Sequence, residues 1–243
     1  MAYIGKTPTQ VPLTSSDVTD GIITNAKLAQ DIISAETALG ATPADTDEFL
    51  VSDAGTLKRM DYSHIKGGGA WSKLLTTTCS SVAEVDFNST YITSTYQDYC
   101  VVISGANHSS DDVKTQIVYS TNNGSSLITA NYSSITRGYN EGQGAETGSQ
   151  ENTANIVLTA PGIGNATGEC LSAVLYFYGL VNDTDSYPLM SGTGAGYKTD
   201  GTLFSFYVAG TTENTAGAIN FIRFRTDAGN WATGKFTLYG RAA

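Results

Sequence analysis

The sequence predicts an all-β protein whose C-terminal part, residues 67–243, folds as an antiparallel β-sandwich. Three observations support this fold class. The 243 residues include 26 glycines and 14 tyrosines with many Thr, Ser and Asn, a composition that suits half-buried pleated strands better than helices. Short apolar runs separated by turn residues follow one another after Trp71. Gly67-Gly68-Gly69 separates these runs from residues 1–66, which differ in character, so we expect two domains.

The first domain is predicted to begin with a short extended or helical adaptor. Residues 1–16 are rich in Thr, Pro and Ser, and Pro8 and Pro12 favour an extended backbone around them. Apolar residues then recur over residues 17–39 at spacings of three to five, which indicates a short helical or looped stretch. Two interpretations stay open for this stretch: a packed connector, or a seam at which copies of the chain cover one another's isoleucines.

A small β-hairpin is predicted at the end of the first domain. Phe49–Val51 forms one strand, Asp53-Ala54-Gly55 forms the turn, and Leu57–Met60 forms the return strand. The 1–66 segment would therefore consist of an adaptor followed by one hairpin unit.

The second domain is predicted to contain roughly ten strands, enough for two packed antiparallel sheets. Asn122-Asn123-Gly124 is a strong hairpin signal because Asn and Gly tolerate positive φ, so it should pair Ile117–Tyr119 with residues 127–128. The run 171–178 is apolar on both sides, which is typical of a central strand. The other predicted strands lie at residues 71–75, 85–87, 96–105, 156–158, 203–208, 222–225 and 236–239.

The charge balance excludes several kinds of partner. The net charge is −10, from 13 basic and 23 acidic residues, whereas a phosphate-binding surface needs clustered Lys and Arg, so we expect no nucleic acid partner. An acidic surface also disfavours anionic membranes, and no apolar run approaches the roughly 20 residues that span a bilayer, so we expect no membrane insertion. The N-terminus shows no secretory signal, which predicts synthesis in a cytoplasm.

The three cysteines, Cys79, Cys100 and Cys170, form an odd set without the Cys-x-x-Cys spacing of metal and redox sites. Each lies in or beside a predicted strand, where a free Cys behaves as a small apolar residue. We therefore expect them to pack in the core, with one disulfide as the open alternative.

Two Gly-rich polar stretches, residues 138–153 and 191–201, are predicted to be long loops. Long connections held by a rigid scaffold often carry binding residues. Each stretch contains one tyrosine whose ring could cover the apolar face of a hexose while neighbouring polar groups bind its hydroxyls. The alternative is that these loops are disordered or packed against other subunits. The candidate receptor-binding residues are Tyr139, Asn140, Gln143, Tyr197, Lys198 and Asp200.

No motif in the sequence predicts catalysis, so we expect that the protein is not an enzyme. The histidines are His64 and His108, and a Ser-His-Asp arrangement would need His108 with Asp111 or Asp112 and a serine that no motif marks. The cluster His108–Asp112 is interpreted more simply as a solvated turn.

Neither a metal nor a cofactor is predicted. Asp183 and Asp185 would supply two ligands, whereas calcium takes about six to eight oxygens. The stretch Gly192–Gly196 resembles part of a phosphate loop, but no βαβ unit surrounds it.

Two phrases in the first domain resemble structural proteins of bacteriophage virions. Asp47–Arg59 resembles the short β units in the shafts of tail fibres, and Met1–Thr9 with Asp20–Ala29 resembles the N-terminal phrase of many phage structural proteins. Residues 71–105 are similar in layout to the first strands of fibre tip sandwiches.

This resemblance implies a virion protein of the tail fibre or adhesin type. Its N-terminus would dock on other virion proteins, it would assemble as a homotrimer, and its tip would bind a bacterial surface glycan or protein. Many weak contacts per particle would then add up to avid attachment. The alternative is a purely structural component of the virion, such as a head fibre, a capsid decoration or a tail connector.

Overall fold

The computed structural model describes residues 14–18, 37–65, 71–142, 144–182, 186–213 and 218–242. The chain divides into two compact units, Met1–Gly67 and Gly68–Ala243. Most of the predicted adaptor, together with Gln143, Asp183 and Asp185, lies outside the described residues. Within the described parts, no helix has the length and apolar character needed to cross a membrane.

The described residues of the first unit contain the predicted hairpin. β1 (Glu48–Asp53) and β2 (Thr56–Asp61) pair antiparallel, and a single helical turn, α1 (Tyr62–Ile65), follows them. The two residues between the strands, Ala54 and Gly55, both have positive φ, at 49° and 86°. Such a two-residue turn matches the right-handed twist of the strands, which is why it favours a hairpin. The hairpin prediction is confirmed.

The second unit is an antiparallel β-sandwich, which confirms the predicted all-β fold class. One sheet has eight strands in the order β3-β14-β5-β10-β11-β12-β7-β8, and the other has four in the order β4-β13-β6-β9. The strands are β3 (Ser72–Thr78), β4 (Glu84–Phe87), β5 (Tyr96–His108), β6 (Thr115–Ser120), β7 (Tyr132–Asn140), β8 (Ala145–Thr153), β9 (Ile156–Val157), β10 (Leu171–Tyr178), β11 (Leu189–Tyr197), β12 (Leu203–Thr212), β13 (Phe221–Thr226) and β14 (Trp231–Ala242).

The core lies between the two sheets and is rich in aromatic rings. Phe224 on β13 contacts rings from both sheets: Phe87 at 6.1 Å, Phe236 at 5.3 Å and Phe177 at 6.4 Å between ring centroids. Edge-to-face and tilted packing of this kind adds to the free energy gained by removing the rings from water. The sandwich therefore has a continuous core without a disulfide, and all three cysteines of the chain are free thiols.

The predicted hairpin after β6 is wrong as a strand pair. Asn123 and Gly124 adopt the positive φ values that the motif predicts. Residues 127–128, however, form no strand, and the pairing there is reduced to the hydrogen bond that Ile128 N donates to Tyr119 O. β6 pairs with β13 along one edge, and its other edge is taken by β9 at Gln116 and Ile117 and by the Tyr132 hydroxyl, which accepts a hydrogen bond from Tyr119 N. These long-range partners leave the local turn with a single backbone hydrogen bond to β6.

The two predicted Gly-rich loops are also wrong over most of their length, because they form β8, most of β11 and the end of β7. Their glycines occupy strand positions at which a neighbour approaches closely. A Cβ on Gly138 would lie 1.9 Å from the carbonyl oxygen of Ser205, and a Cβ on Gly194 would lie 2.6 Å from the ring of Phe206. Glycine at these positions is thus a packing requirement of a strand rather than a sign of a loop.

Candidate ligand-binding face

The outer side of the eight-stranded sheet carries the candidate site. Along β12 the side chains of Phe204, Phe206 and Val208 are buried, while those of Ser205 and Tyr207 between them are exposed. β10, β11 and β7 alternate in the same way, because successive side chains of a strand point to opposite faces. The outward-facing side chains of β10, β11, β12, β7 and β8 are called the outer face below.

Large apolar and aromatic side chains stand on the outer face above a floor of small residues. Ile135 is 50% exposed, Leu189 56%, Tyr207 56% and Tyr139 65%. Single exposed apolar residues are common on proteins, but a group of them on one side of one sheet indicates a surface that binds something.

A concavity of about 710 Å³ lies on the outer face and is called the larger concavity. Its floor includes Ser191 and Ala209, which pair across β11 and β12, and Ile135 is the next residue in the same cross-strand row. On its other side it is lined by Tyr178, whose ring lies 6.5 Å from that of Tyr176 at an interplanar angle of 20°. Apolar walls therefore enclose a floor that carries hydroxyl groups.

A second concavity of about 400 Å³, the smaller concavity, lies further along the same face. Arg137, Tyr207 and Thr193 form one cross-strand row in it. Tyr139 pairs with Ser205 in the next outward-facing row. The smaller concavity thus combines two phenol rings, two aliphatic hydroxyl groups and one guanidinium.

Both tyrosines predicted as binding residues lie on the outer face, although on strands and not on loops. Tyr139 lines the smaller concavity. Tyr197 is on β11, two strands away from β7, and pairs with Leu203 near the end of the sheet. The two rings therefore do not face each other across one ligand site.

Asn140, Lys198 and Asp200 belong to a different cluster, which is built around Glu146. Glu146 Oε1 accepts hydrogen bonds from Asn140 Nδ2 at 3.0 Å and from Lys198 Nζ at 3.2 Å. Lys198 Nζ lies 4.0 Å from Asp200 Oδ2, and hydrogen bonds from Thr202 hold the pKa of Asp200 below its ordinary value. These contacts connect the end of β7 and the start of β8 to the turn after β11.

The solvated turn predicted for residues 108–112 is confirmed for residues 109–112, which form exposed and half-buried bends, but His108 itself is buried at the end of β5. Its ring lies 4.6 Å from that of Trp231, and burial lowers its pKa to about 4. Neither ring nitrogen has a hydrogen-bond partner, so no serine or aspartate of the described residues forms a triad with it.

Two of the thiols are buried in the core, and burial changes their titration. Burial raises the pKa of both Cys79 and Cys100 to about 11, which keeps these thiols protonated and unreactive at neutral pH. Among the residues with described positions, no group of three or more His, Cys, Asp or Glu side chains could hold a metal ion.

Sequence reasoning missed Arg137 and Ile135. In β7 the inward residues are Ser134 and Thr136 and the outward residue between them is Ile135, the reverse of the usual pattern. Periodicity alone would have placed Ile135 in the core. The outer face could have been recognised from β12, where apolar and polar residues alternate strictly and Tyr207 is a large aromatic residue at a position of the polar side.

Comparison of this chain with protein-family models, with curated proteins and with solved structures gives no match. Because a sandwich architecture by itself implies no function, the geometry and chemistry of the outer face are the guide to what the protein binds.

Proposed function

We propose that this protein is a bacteriophage virion fibre protein of the adhesin type, which attaches to a bacterial surface glycan through the outer face of its β-sandwich. The observation that carries the proposal is the larger concavity, where apolar walls stand over a floor of small hydroxylated side chains. A sugar ring has the same two kinds of surface, with C–H groups on its faces and hydroxyls around its rim.

The side chains of the larger concavity match both surfaces of a sugar. The ring of Tyr178 and the side chain of Ile135 would cover C–H faces, as aromatic and aliphatic groups do in ligand pockets. The hydroxyls of Ser133, Ser149 and Ser191 would exchange hydrogen bonds with sugar hydroxyls. These groups are held on hydrogen-bonded strands, so little conformational entropy would be lost on binding.

The size and openness of the face suit a polymer. A volume of about 710 Å³ lies within the range of ordinary ligand pockets, and the smaller concavity lies on the same face along β7 and β12. A glycan chain could thus contact both concavities. Binding at one tip would be weak and would be multiplied by the copies on a particle, for which we propose a homotrimer docked on other virion proteins through its N-terminal segment.

A purely structural role in the virion is the second candidate. The exposed Ile135 and Leu189 favour it, because aliphatic side chains contribute more to protein interfaces than to sugar recognition. In that case the outer face would be covered by another virion protein and would bind no polysaccharide.

The test is binding of the full-length protein to immobilised capsular and lipopolysaccharide preparations from a panel of bacteria. Ala209→Trp would fill the larger concavity from its floor and should abolish binding. Thr78→Trp is the matched control: Thr78 is an exposed residue of the edge strand β3, far from both concavities, so binding should be unchanged. Binding that survives Ala209→Trp, or a wild-type protein that binds no polysaccharide, would contradict the proposal.

A further inference from the structure

Arg137 occupies a distinctive position on the outer face. Its cross-strand partner on β12 is Tyr207, Tyr139 is the next outward residue along β7, and all three side chains line the smaller concavity. The Arg137 side chain is exposed to solvent. A guanidinium thus shares one concavity with two exposed tyrosine rings.

Arg137 has no counter-ion of its own among the residues that the structure describes. None of the salt bridges there includes it, and it forms no hydrogen bond through its side chain. The other arginines with described side chains do have partners, such as Asp86 for Arg223 and Asp98 for Arg241. Arg137 therefore differs from the arginines that serve the fold.

The charge around Arg137 strengthens this contrast. At the outward positions of β7, β8, β11 and β12, the charged residues are Arg137 and Glu151. Thr147, the cross-strand partner of Arg137, precedes Glu151 by four residues, which is about 13 Å along an extended strand. A lone cation is thus present on the face of a protein whose net charge is −10.

We propose, building on the proposed function, that the glycan bound by the outer face is acidic and that Arg137 binds the carboxylate of a uronic or sialic acid unit. The planar guanidinium presents N–H donors in a fork that matches the two oxygens of a carboxylate. The rings of Tyr207, across from Arg137 on β12, and Tyr139, two residues further along β7, line the same concavity and would cover the C–H surface of the same sugar.

Two hydroxylated residues complete the recognition of such a unit. Ser205 pairs with Tyr139, and Thr193 pairs with Tyr207, so both line the smaller concavity below the rings. Their hydroxyls can donate to or accept from the ring hydroxyls of the sugar while Arg137 holds its carboxylate. The smaller concavity would then select the acidic unit, and the larger concavity would hold a neighbouring unit of the polymer.

The experiment compares polymers that differ in their anionic group. Full-length protein is tested against immobilised polygalacturonate and polysialic acid as carboxylate polymers, heparin as a sulfate polymer, phosphomannan as a phosphate polymer, and dextran as a neutral one. Wild type should bind a carboxylate polymer, and Arg137→Gln should weaken that binding by about 10-fold or more, whereas Arg137→Lys should retain part of it.

The control for net charge is Lys235→Gln. Lys235 is an exposed cation on β14, away from both concavities, so this variant removes the same charge and should leave binding within about twofold of wild type. Equal losses in Lys235→Gln and Arg137→Gln would overturn the proposal, because the effect would then be one of overall charge. Arg137-dependent binding to heparin or phosphomannan without binding to the carboxylate polymers would also overturn it.

The remaining outcomes separate this inference from the proposed function. Binding to dextran or another neutral glycan that Ala209→Trp abolishes and Arg137→Gln leaves unchanged would refute the acidic ligand while leaving glycan attachment in place. Absence of binding to every polymer, including the bacterial preparations, would refute both.

Discussion

His108 should make the folded protein lose stability as the pH falls from about 7 to about 5. The side chain is 1% exposed, and neither ring nitrogen has a hydrogen-bond partner. Burial disfavours the charged imidazolium and lowers its pKa, and the carboxylate of Asp227 offsets only part of this effect. The folded protein therefore holds His108 in its neutral form.

The magnitude follows from the two pKa values of His108. In the unfolded chain the value is near its ordinary 6.5, and in the folded protein it is about 4. Below pH 6.5 the unfolded chain binds a proton at His108, whereas the folded protein does not bind it until the pH approaches 4. The stability that depends on neutral His108 is therefore fully present above pH 6.5 and is lost as the pH falls toward 4. The full difference corresponds to about 3 kcal/mol, of which about 2 kcal/mol is lost by pH 5.

The assay is urea unfolding of the wild type, His108→Gln and His64→Gln at about pH 7 and about pH 5, followed by tryptophan fluorescence. The chain has two histidines, and His64 is exposed, so His64→Gln should keep the pH dependence of the wild type. His108→Gln should remove most of it, whatever the stability of this variant at neutral pH. His108→Leu tests the same point if the amide is poorly accommodated. A pH dependence that persists in both His108 variants would refute the assignment to this side chain.

Two further predictions concern the strand contacts of the sandwich. Gly138→Ala should destabilise the fold by about 2–4 kcal/mol, because its Cβ would lie 1.9 Å from the carbonyl oxygen of Ser205. Gly148→Ala on β8 is the control: the nearest neighbour of its Cβ would be at 3.5 Å, so the free energy of unfolding should change by less than about 0.5 kcal/mol. Arg223→Lys should cost about 1 kcal/mol in the same measurement, since Lys cannot reproduce the two hydrogen bonds, at 2.8 and 2.7 Å, that Arg223 donates to Asp86. A neutral Gly138→Ala, or an Arg223→Lys with unchanged stability, would contradict the respective contact.

The strands that the sequence predicts correctly are those whose buried side chains are apolar. In β10 every second side chain is buried, among them Leu171, Leu175 and Phe177. β12 repeats the pattern with Phe204 and Phe206. Periodicity finds such strands because burial and hydrophobicity coincide in them.

β11 escaped prediction because its inward positions carry glycine. A Cβ on Gly192 would lie 2.5 Å from Leu175 Cδ2, and one on Gly194 would lie 2.6 Å from the ring of Phe206. The space above these glycines is filled by side chains of the neighbouring strands, so Met190 is the apolar side chain that β11 itself contributes to its buried face. Local sequence contains no sign of this arrangement, which depends on pairing with β10 and β12.

The candidate site was predictable only in part, for a related reason. Tyr139 and Tyr197 are recognisable in sequence as aromatic residues in polar surroundings. The link between Glu146 and Lys198 joins residues 52 positions apart, and the row of Arg137 with Tyr207 depends on the register of β7 against β12. Register is set by the whole sheet, and a shift of one residue would move each of these side chains to the other face.

The reversed polarity of β7 links the fold to the proposed function. Its buried hydroxyls have a structural purpose: the Ser134 hydroxyl accepts a hydrogen bond from Val157 N, and the Thr136 hydroxyl donates one to Val157 O, both at 3.4 Å, so that β7 satisfies the backbone of the short strand β9 in the opposite sheet. Among the residues that the structure describes, no contact of this kind accounts for the exposed Ile135 and Tyr139 on the other side of β7. A sequence selected for stability and solubility alone would place polar residues there. Exposed apolar residues that the fold does not require are expected at functional sites. Ile135 lines the larger concavity and Tyr139 lines the smaller one.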